Sequence, residues 1–317
     1  MKASKNLDYR GLAALDAVIE HGGFDKAAAA LAITQPAVSQ RIRTLENLAG
    51  ALLLVRSQPP QATAAGQRLI AHYRQVKLLE SALDAQPGHS GDLPEIAIAV
   101  NADSVATWFP AALAPLLTPP SCLLTIHLDD QDHTLSQLRE GRVFACVTSQ
   151  TMEVAGTTST PLGVMRYICV AAPAFAAHWF GAGFSAQAVL RAPALVFNRR
   201  DALHEQYLLH RLGSLPTFPR HGLAAAEPFV RFIEAGFAYG MVPLLQVREE
   251  LAAGSLIDLT PGDGLDVALI WHAWDIQTPL TRALSDSVIN AARRELALQI
   301  TALDQATRPQ QRHRLPP

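Results

Sequence analysis

The stretch Gln35–Leu48, QPAVSQRIRTLENL, carries side chains suited to recognising another polymer. At about 100° per residue, Val38, Ile42, Leu45 and Ala49 fall on one side of a helix and face a core. Pro36, Ser39, Gln40, Arg43 and Asn47 point the other way. Gln and Arg can each make two hydrogen bonds to a base edge, adenine and guanine respectively, and Ser can bond a base or a phosphate. Thr34 is placed to cap this helix, with Gln35 beside it and Pro36 in the first turn. An ordinary solvated helix face is the competing reading of the same pattern.

Such a face needs a scaffold to set it into a groove. Leu7–His21 reads as a first helix, with Leu12, Leu15 and Ile19 at helical spacing, stopped by Gly22–Gly23. Phe24–Leu31 is a short Ala-rich helix, and Ala32–Ile33 a tight connection into the third. Two short helices and a tight turn would lay the third in a major groove. After it, Leu52–Val55 and Gln61–Thr63 read as a two-stranded wing turned by Pro59–Pro60. The candidate DNA contacts are Thr34, Gln35, Pro36, Ser39, Gln40 and Arg43, with Arg56, Gln61 and Thr63 reaching phosphates or the minor groove. Thr63 also caps a long helix running to Ala82, with Gly66 in its first turn. Leu69, Tyr73, Val76, Leu79 and Leu83 repeat there at about 3.5 residues, a stripe suited to a second copy of the chain. Packing of that stripe onto the chain's own head is the alternative.

Length and composition bound the rest. A chain of 317 residues with 49% apolar and 17% charged residues is long enough for about two folded units. It has no apolar run of membrane-spanning length and no apolar leader, so a cytoplasmic protein with no membrane partner is expected. Cys122, Cys146 and Cys169 lack metal-ligand spacing and read as free buried thiols. Residues 1–90 hold ten basic and seven acidic side chains, and the remainder sixteen and twenty-one, a mildly basic head on an acidic body. The expected division is a winged helix-turn-helix over 1–62, a linker helix over 63–85, a hinge over 86–94 rich in Pro and Gly, a body over 95–305 and a frayed tail over 306–317.

In the body, strand-like runs at Glu95–Val100, Leu123–Leu128, Val143–Thr148, Tyr167–Ala171, Leu195–Asn198, Tyr239–Val242 and Val267–Trp271 alternate with helical stretches. Those stretches are Asp103–Leu117, Thr134–Glu140, Ala202–Leu212, Pro228–Ala235, Leu244–Leu251 and Leu280–Ile300. The pattern predicts two α/β lobes with a cleft beyond the strand C-termini, the chain having crossed into the second lobe by the strand Leu195–Asn198. Candidate cleft residues are Asn101, Asp103 and Ser104 after the first strand, Asp129 and Asp130 after the second, Thr148 and Ser149 at the end of the third, Asn198, and Glu227 ahead of the helix at Pro228. An amide and hydroxyl pole with acids nearby suits a small zwitterion bearing an extra positive charge. Each residue also has a structural reading, as helix cap, solvated loop acid or backbone partner.

From Phe24 to Arg56 the sequence, FDKAAAALAITQPAVSQRIRTLENLAGALLLVR, resembles the DNA-binding head of LysR-type transcriptional regulators, and Thr63–Gly66 matches the start of that family's linker helix. The resemblance implies a homodimer or homotetramer on a partly palindromic operator and an effector domain of the periplasmic-binding-protein type. RNA polymerase stays open as a further partner, and a place on the nucleoid follows from the operator. VNADSVATW (Val100–Trp108), GSLIDLTPG (Gly254–Gly262) and IWHAW (Ile270–Trp274) are similar to the branch controlling lysine and arginine export. That similarity implies a basic amino acid as effector, an exporter gene as target, and neither cofactor nor metal. Arg199–Arg200 and His133 depart from the branch, and inward-facing arginines would disfavour a cationic ligand. A regulator with another effector, or a ligand-insensitive architectural binder, remains the alternative. An enzyme is not expected: H-E-x-x-H, G-x-S-x-G, a P-loop and a dinucleotide fingerprint are all missing. A transport binding protein is disfavoured by the head.

Overall fold

The computed structural model describes residues 7–84, 93–128, 131–150, 154–198 and 201–306, leaving aside the side chains of 81–84, 131–133 and 297–306. The head begins with α1 (Tyr9–His21), α2 (Phe24–Ala30) and α3 (Gln35–Ala49). Asp8 caps α1 by accepting from the Arg10 amide, and left-handed Gly22 closes it. The Thr34 hydroxyl caps α3 by accepting from the Ala37 amide at 3.4 Å, and left-handed Gly50 ends it. Leu12, Leu15 and Val18 pack with Ala27, Ala28, Val38, Ile42 and Leu45 into one buried cluster. Ala49, expected in that core, is exposed because it sits in the last helical turn, where Gly50 turns the chain away.

The wing is a short antiparallel pair, β1 (Leu54–Val55) and β2 (Gln61–Ala62). Glu46 fastens it to α3, accepting from the Leu53 amide at 2.9 Å. The linker helix α4 (Ala64–Asp84) follows. The Thr63 hydroxyl accepts from the Gly66 amide at 3.1 Å and donates to the Leu52 carbonyl at 2.8 Å. A Cβ on Gly66 would lie 2.1 Å from the Leu53 carbonyl oxygen, so helix and wing meet backbone to backbone. Gly66→Ala is therefore expected to destabilise the protein by about 2 kcal/mol through overpacking. An unchanged urea midpoint would contradict that contact.

Leu69 and Tyr73 pack onto the head's own cluster, and Arg74 donates to Asp16 of α1 at 2.6 Å. This corrects the expected stripe, since its first half is taken up within the chain. Val76 is half-buried, Leu79 is exposed, and the Leu83 side chain lies outside the described ones.

The body opens with β3 (Glu95–Val100), α5 (Ala102–Ala106), α6 (Phe109–Leu117) and β4 (Leu123–Leu128), β3 and β4 running parallel. A single helix was expected over Asp103–Leu117; Thr107 leaves helical geometry, and a new helix begins at Phe109 with Pro110 in its first turn. Then come α7 (Gln131–Arg139), β5 (Ala145–Thr148), β6 (Thr157–Ala171), α8 (Pro173–Phe180), α9 (Ala186–Val189) and β7 (Ala194–Val196). The chain continues through α10 (Leu203–Leu212), β8 (Arg220–Gly222), α11 (Ala226–Glu234), β9 (Tyr239–Pro243), a 3-10 turn, α12 (Arg248–Ala253) and β10 (Ile257–Asp258). It closes with β11 (Leu265–Trp274) and α13 (Pro279–Ala306), the latter running past the expected end at Ile300.

The sheet order is β4-β3-β5-β11-β6-β9-β7-β8, with β10 beside β6. β6 and β11 pair antiparallel along their length; β11 reaches β5 through Ile270–Ala273, while β6 reaches β9 through Tyr167–Val170. These two strands join the lobes. The chain crosses within β6, so the strand leading to Phe197–Asn198 lies in the second lobe, and β11 returns the chain. Cys122, Cys146 and Cys169 are free and buried. Among the described residues no helix is long and apolar enough to cross a membrane, and no cluster of His, Cys, Asp or Glu is arranged for a metal ion.

Candidate functional site

On the head, α3 turns Val38, Ile42 and Leu45 inward and leaves Gln35, Pro36, Gln40, Arg43 and Asn47 exposed, with Ser39 half-buried. No acidic side chain lies between Gln35 and Leu45. The face is thus a row of donors and acceptors with a cation at its centre. The Arg56 guanidinium stacks over the Phe24 ring at 5.5 Å, holding the base of the wing beside α2. Gln61 is exposed on β2. Thr63 is half-buried with its hydroxyl proton committed to Leu52, so it has no donor left for a phosphate.

In the body, a cavity of about 360 Å³ opens between the lobes. It lies beyond the C-terminal ends of β3, β5, β7 and β9, where ligands sit in open α/β sheets. Asn101, Asp103 and Ser149 line it from one lobe, and Phe197, Asp201, Gln206, Phe229, Met241 and Gln246 from the other, with Tyr167 and Val267 from the crossing strands. Asn101 is 5% exposed, and neither its Oδ1 nor its Nδ2 has a hydrogen-bond partner. A buried amide in that condition costs stability unless something answers it.

The Asp103 carboxylate opens onto the cavity yet lies deep in the molecule, accepting from the Tyr167 hydroxyl at 2.6 Å. Desolvation raises its pKa to about 6 against the opposing Tyr167 hydrogen bond, and the charge of Asp201 adds to the rise. Asp201 accepts from the Leu203 amide at the start of α10. Among the described residues no lysine or arginine lines the cavity.

Several expected residues do not face it. Ser104 is fully buried and accepts from the Trp108 indole at 3.1 Å. Thr148 is fully buried and accepts from the Gln150 amide, because every position of β5 is covered. Asn198 accepts from the Asp201 amide, shaping the loop rather than lining the space. Glu227 is inside the first turn of α11, three-quarters exposed and paired with Arg231. Asp129, Asp130, Arg199 and Arg200 lie outside the described residues, as does the His133 side chain.

Two family models match the chain: bacterial regulatory helix-turn-helix protein, lysR family, over residues 9–67, and LysR substrate binding domain over residues 89–293. The chain belongs to the LysR family. Among similar proteins, the HTH-type transcriptional regulator ArgP of Aeromonas salmonicida is 43% identical over 295 residues, covering 92% of this chain and 99% of the relative. The crystal structure of ArgP from Mycobacterium tuberculosis superposes with a TM-score of 0.83 at 40% identity, covering 90% of this chain and 98% of that one. Full-length LysG from Corynebacterium glutamicum with bound effector Arg gives a TM-score of 0.75 at 32% identity, with the same coverage of each chain. The family is one of transcriptional regulators, so this LysR-family chain is a DNA-binding regulator and not an enzyme.

Tyr167, Asp201, Gln206 and Gln246 were missed by sequence reasoning as cavity residues. A signal existed for Asp201, an acid directly ahead of a helical run and three residues after Asn198. Tyr167 had none, because a tyrosine within an apolar strand reads as core.

Proposed function

We propose that this LysR-family regulator senses a cationic amino acid, arginine or lysine, in the interlobe cavity and adjusts its hold on an operator accordingly. The supporting observation is the cavity's charge: Asp103 and Asp201 line it, with no lysine or arginine among its described lining residues. The acids would take the cationic groups; Asn101, Ser149 and Gln206 would hold the carboxylate. LysG, at 32% identity, carries arginine as its effector, which supports the same class here. At the head, Gln35, Pro36, Ser39, Gln40 and Arg43 would read base edges, while Thr34, Arg56 and Gln61 meet the backbone. The oligomer would be a homodimer or homotetramer; exposed Leu79 on α4 and the exposed Leu123 and Leu128 of edge strand β4 support a second copy. The target would be the promoter of an amino-acid exporter, with RNA polymerase as a further partner, on the nucleoid in the cytoplasm.

A ligand shifts the regulator only by its differential affinity for two arrangements of lobes and heads. Calorimetry of the full chain with arginine, lysine and citrulline tests the effector class. Arginine or lysine should bind at least about tenfold more tightly than neutral citrulline, as expected for losing one charge-assisted contact. Equal binding of all three would remove the cationic reading. Footprints with and without the bound amino acid then test the coupling to DNA.

A further inference from the structure

A second cleft, about 340 Å³, lies where the linker helix crosses the body, at the opposite end of β3 and β5 from the effector cavity. One wall is α4, with Arg74 and Lys77; the other carries Glu95, Arg142 and Trp274. Its walls are held close, since a Cβ on left-handed Gly141 would lie 2.6 Å from the Ala71 Cα of α4.

The lining is rich in donors. Three cationic side chains, Arg74, Lys77 and Arg142, line it beside the carboxylate of Glu95, with Asp16 and Glu140 paired to the two arginines from outside the lining. Arg74 commits its Nε to Asp16 and Arg142 its Nε to Glu140 at 2.7 Å, but a guanidinium has five N–H donors. Trp274 Nε1 is buried without a hydrogen-bond partner. The Cε3–Cζ3 edge of that ring lies against Gly156, which turns the Nε1 edge away from the Gly156 loop. An indole nitrogen only donates, so whatever satisfies it must bring an acceptor.

We propose that this cleft is a second small-molecule site, distinct from the effector cavity, and that it takes a small multivalent oxyanion. Lys77, Arg142 and the outer N–H groups of Arg74 supply the charge, and Trp274 Nε1 one neutral donor. Arg74 is shared with Asp16 of α1, so the occupant bears directly on the contact between head and linker.

The test is titration of the full chain with inorganic phosphate and, separately, citrate, against sodium chloride at matched ionic strength. Tryptophan fluorescence and calorimetry are read in parallel. At least one of the two anions should bind saturably with a Kd of about 1 mM or tighter. The exposed substitutions Lys77→Gln and Arg142→Gln should each weaken it about tenfold, and Trp274→Phe should remove the fluorescence change. Phosphate alone binding would indicate a phosphoryl compound as the natural occupant, and citrate alone a polycarboxylate; either supports the site. No saturation beyond the chloride control, or affinity unmoved by both Lys77→Gln and Arg142→Gln, would overturn it.

Discussion

Asp103→Asn is expected to make the ligand-free protein more stable at neutral pH while abolishing its response to arginine. The carboxyl has a pKa of about 6 in the fold, raised chiefly by burial. In the unfolded chain it titrates near 3.8. The folded state therefore holds its proton more tightly, and stability falls as pH climbs from the unfolded value towards 6, then levels off. At pH 7 that costs at most about 3 kcal/mol, less whatever cavity water restores, and asparagine would not incur it. The variant's advantage in melting temperature should be present at pH 7 and vanish below about pH 4.

Binding moves the other way. A cation entering beside Asp103 favours its ionised form, so arginine should release a proton and lose affinity as pH falls below 6, by up to about tenfold per unit. Calorimetry between about pH 5 and 8, in buffers of different ionisation enthalpy, reads both effects. Arginine affinity in Asp103→Asn close to wild type, or a wild-type affinity independent of pH over this range, would mean that this carboxylate is not what meets the cation.

Local rules made the head legible and long-range contacts hid the cavity. Thr34 and the Val38/Ile42/Leu45 spacing each act within a few residues, so the start and buried side of α3 could be read directly, while its end at Ala49 falls one residue past the expected Leu48. The strands β3 and β4 were likewise bounded as expected, their alternating or apolar runs being flanked by turn residues. By contrast β6 was expected only over Tyr167–Ala171, because Pro161 and Gly163 read as strand breakers. Pairing with β11 overrides both, with a register shift opposite them at Leu269–Ile270. The helix α8, PAFAAHWF, turns Pro173, Ala174, Ala177 and His178 outward, and with three of those four nonpolar its outer face gives no polar periodicity. Cavity residues such as Gln206 and Gln246 come from elements distant in sequence, and their side chains look like any solvated amide until the lobes are assembled. Glu227 failed for a smaller reason: α11 starts at Ala226, which puts that carboxylate on the outer face of the first turn.

Alanine at both Gln40 and Arg43 should cost operator binding more than any other pair on the head. Both side chains are exposed on α3 and stand one helical turn apart, with the Thr34 cap and the buried Val38, Ile42 and Leu45 fixing the helix beneath them. If each reads a base edge, each is worth about 1–3 kcal/mol, or roughly a hundredfold or more together. Thermal stability should move by no more than about 0.5 kcal/mol, as for other exposed positions. Arg56→Ala provides the contrast. A phosphate contact from the wing carries no sequence information, so its loss should weaken all duplexes alike and reduce the salt slope by about one. The measurement is affinity for a duplex selected by the protein from a random pool, against a scrambled duplex, across a salt series. If the Gln40/Arg43 variant keeps the wild-type ratio between selected and scrambled DNA, α3 is not the reading element, because an exposed face that discriminates bases cannot lose both its amide and its guanidinium without losing discrimination.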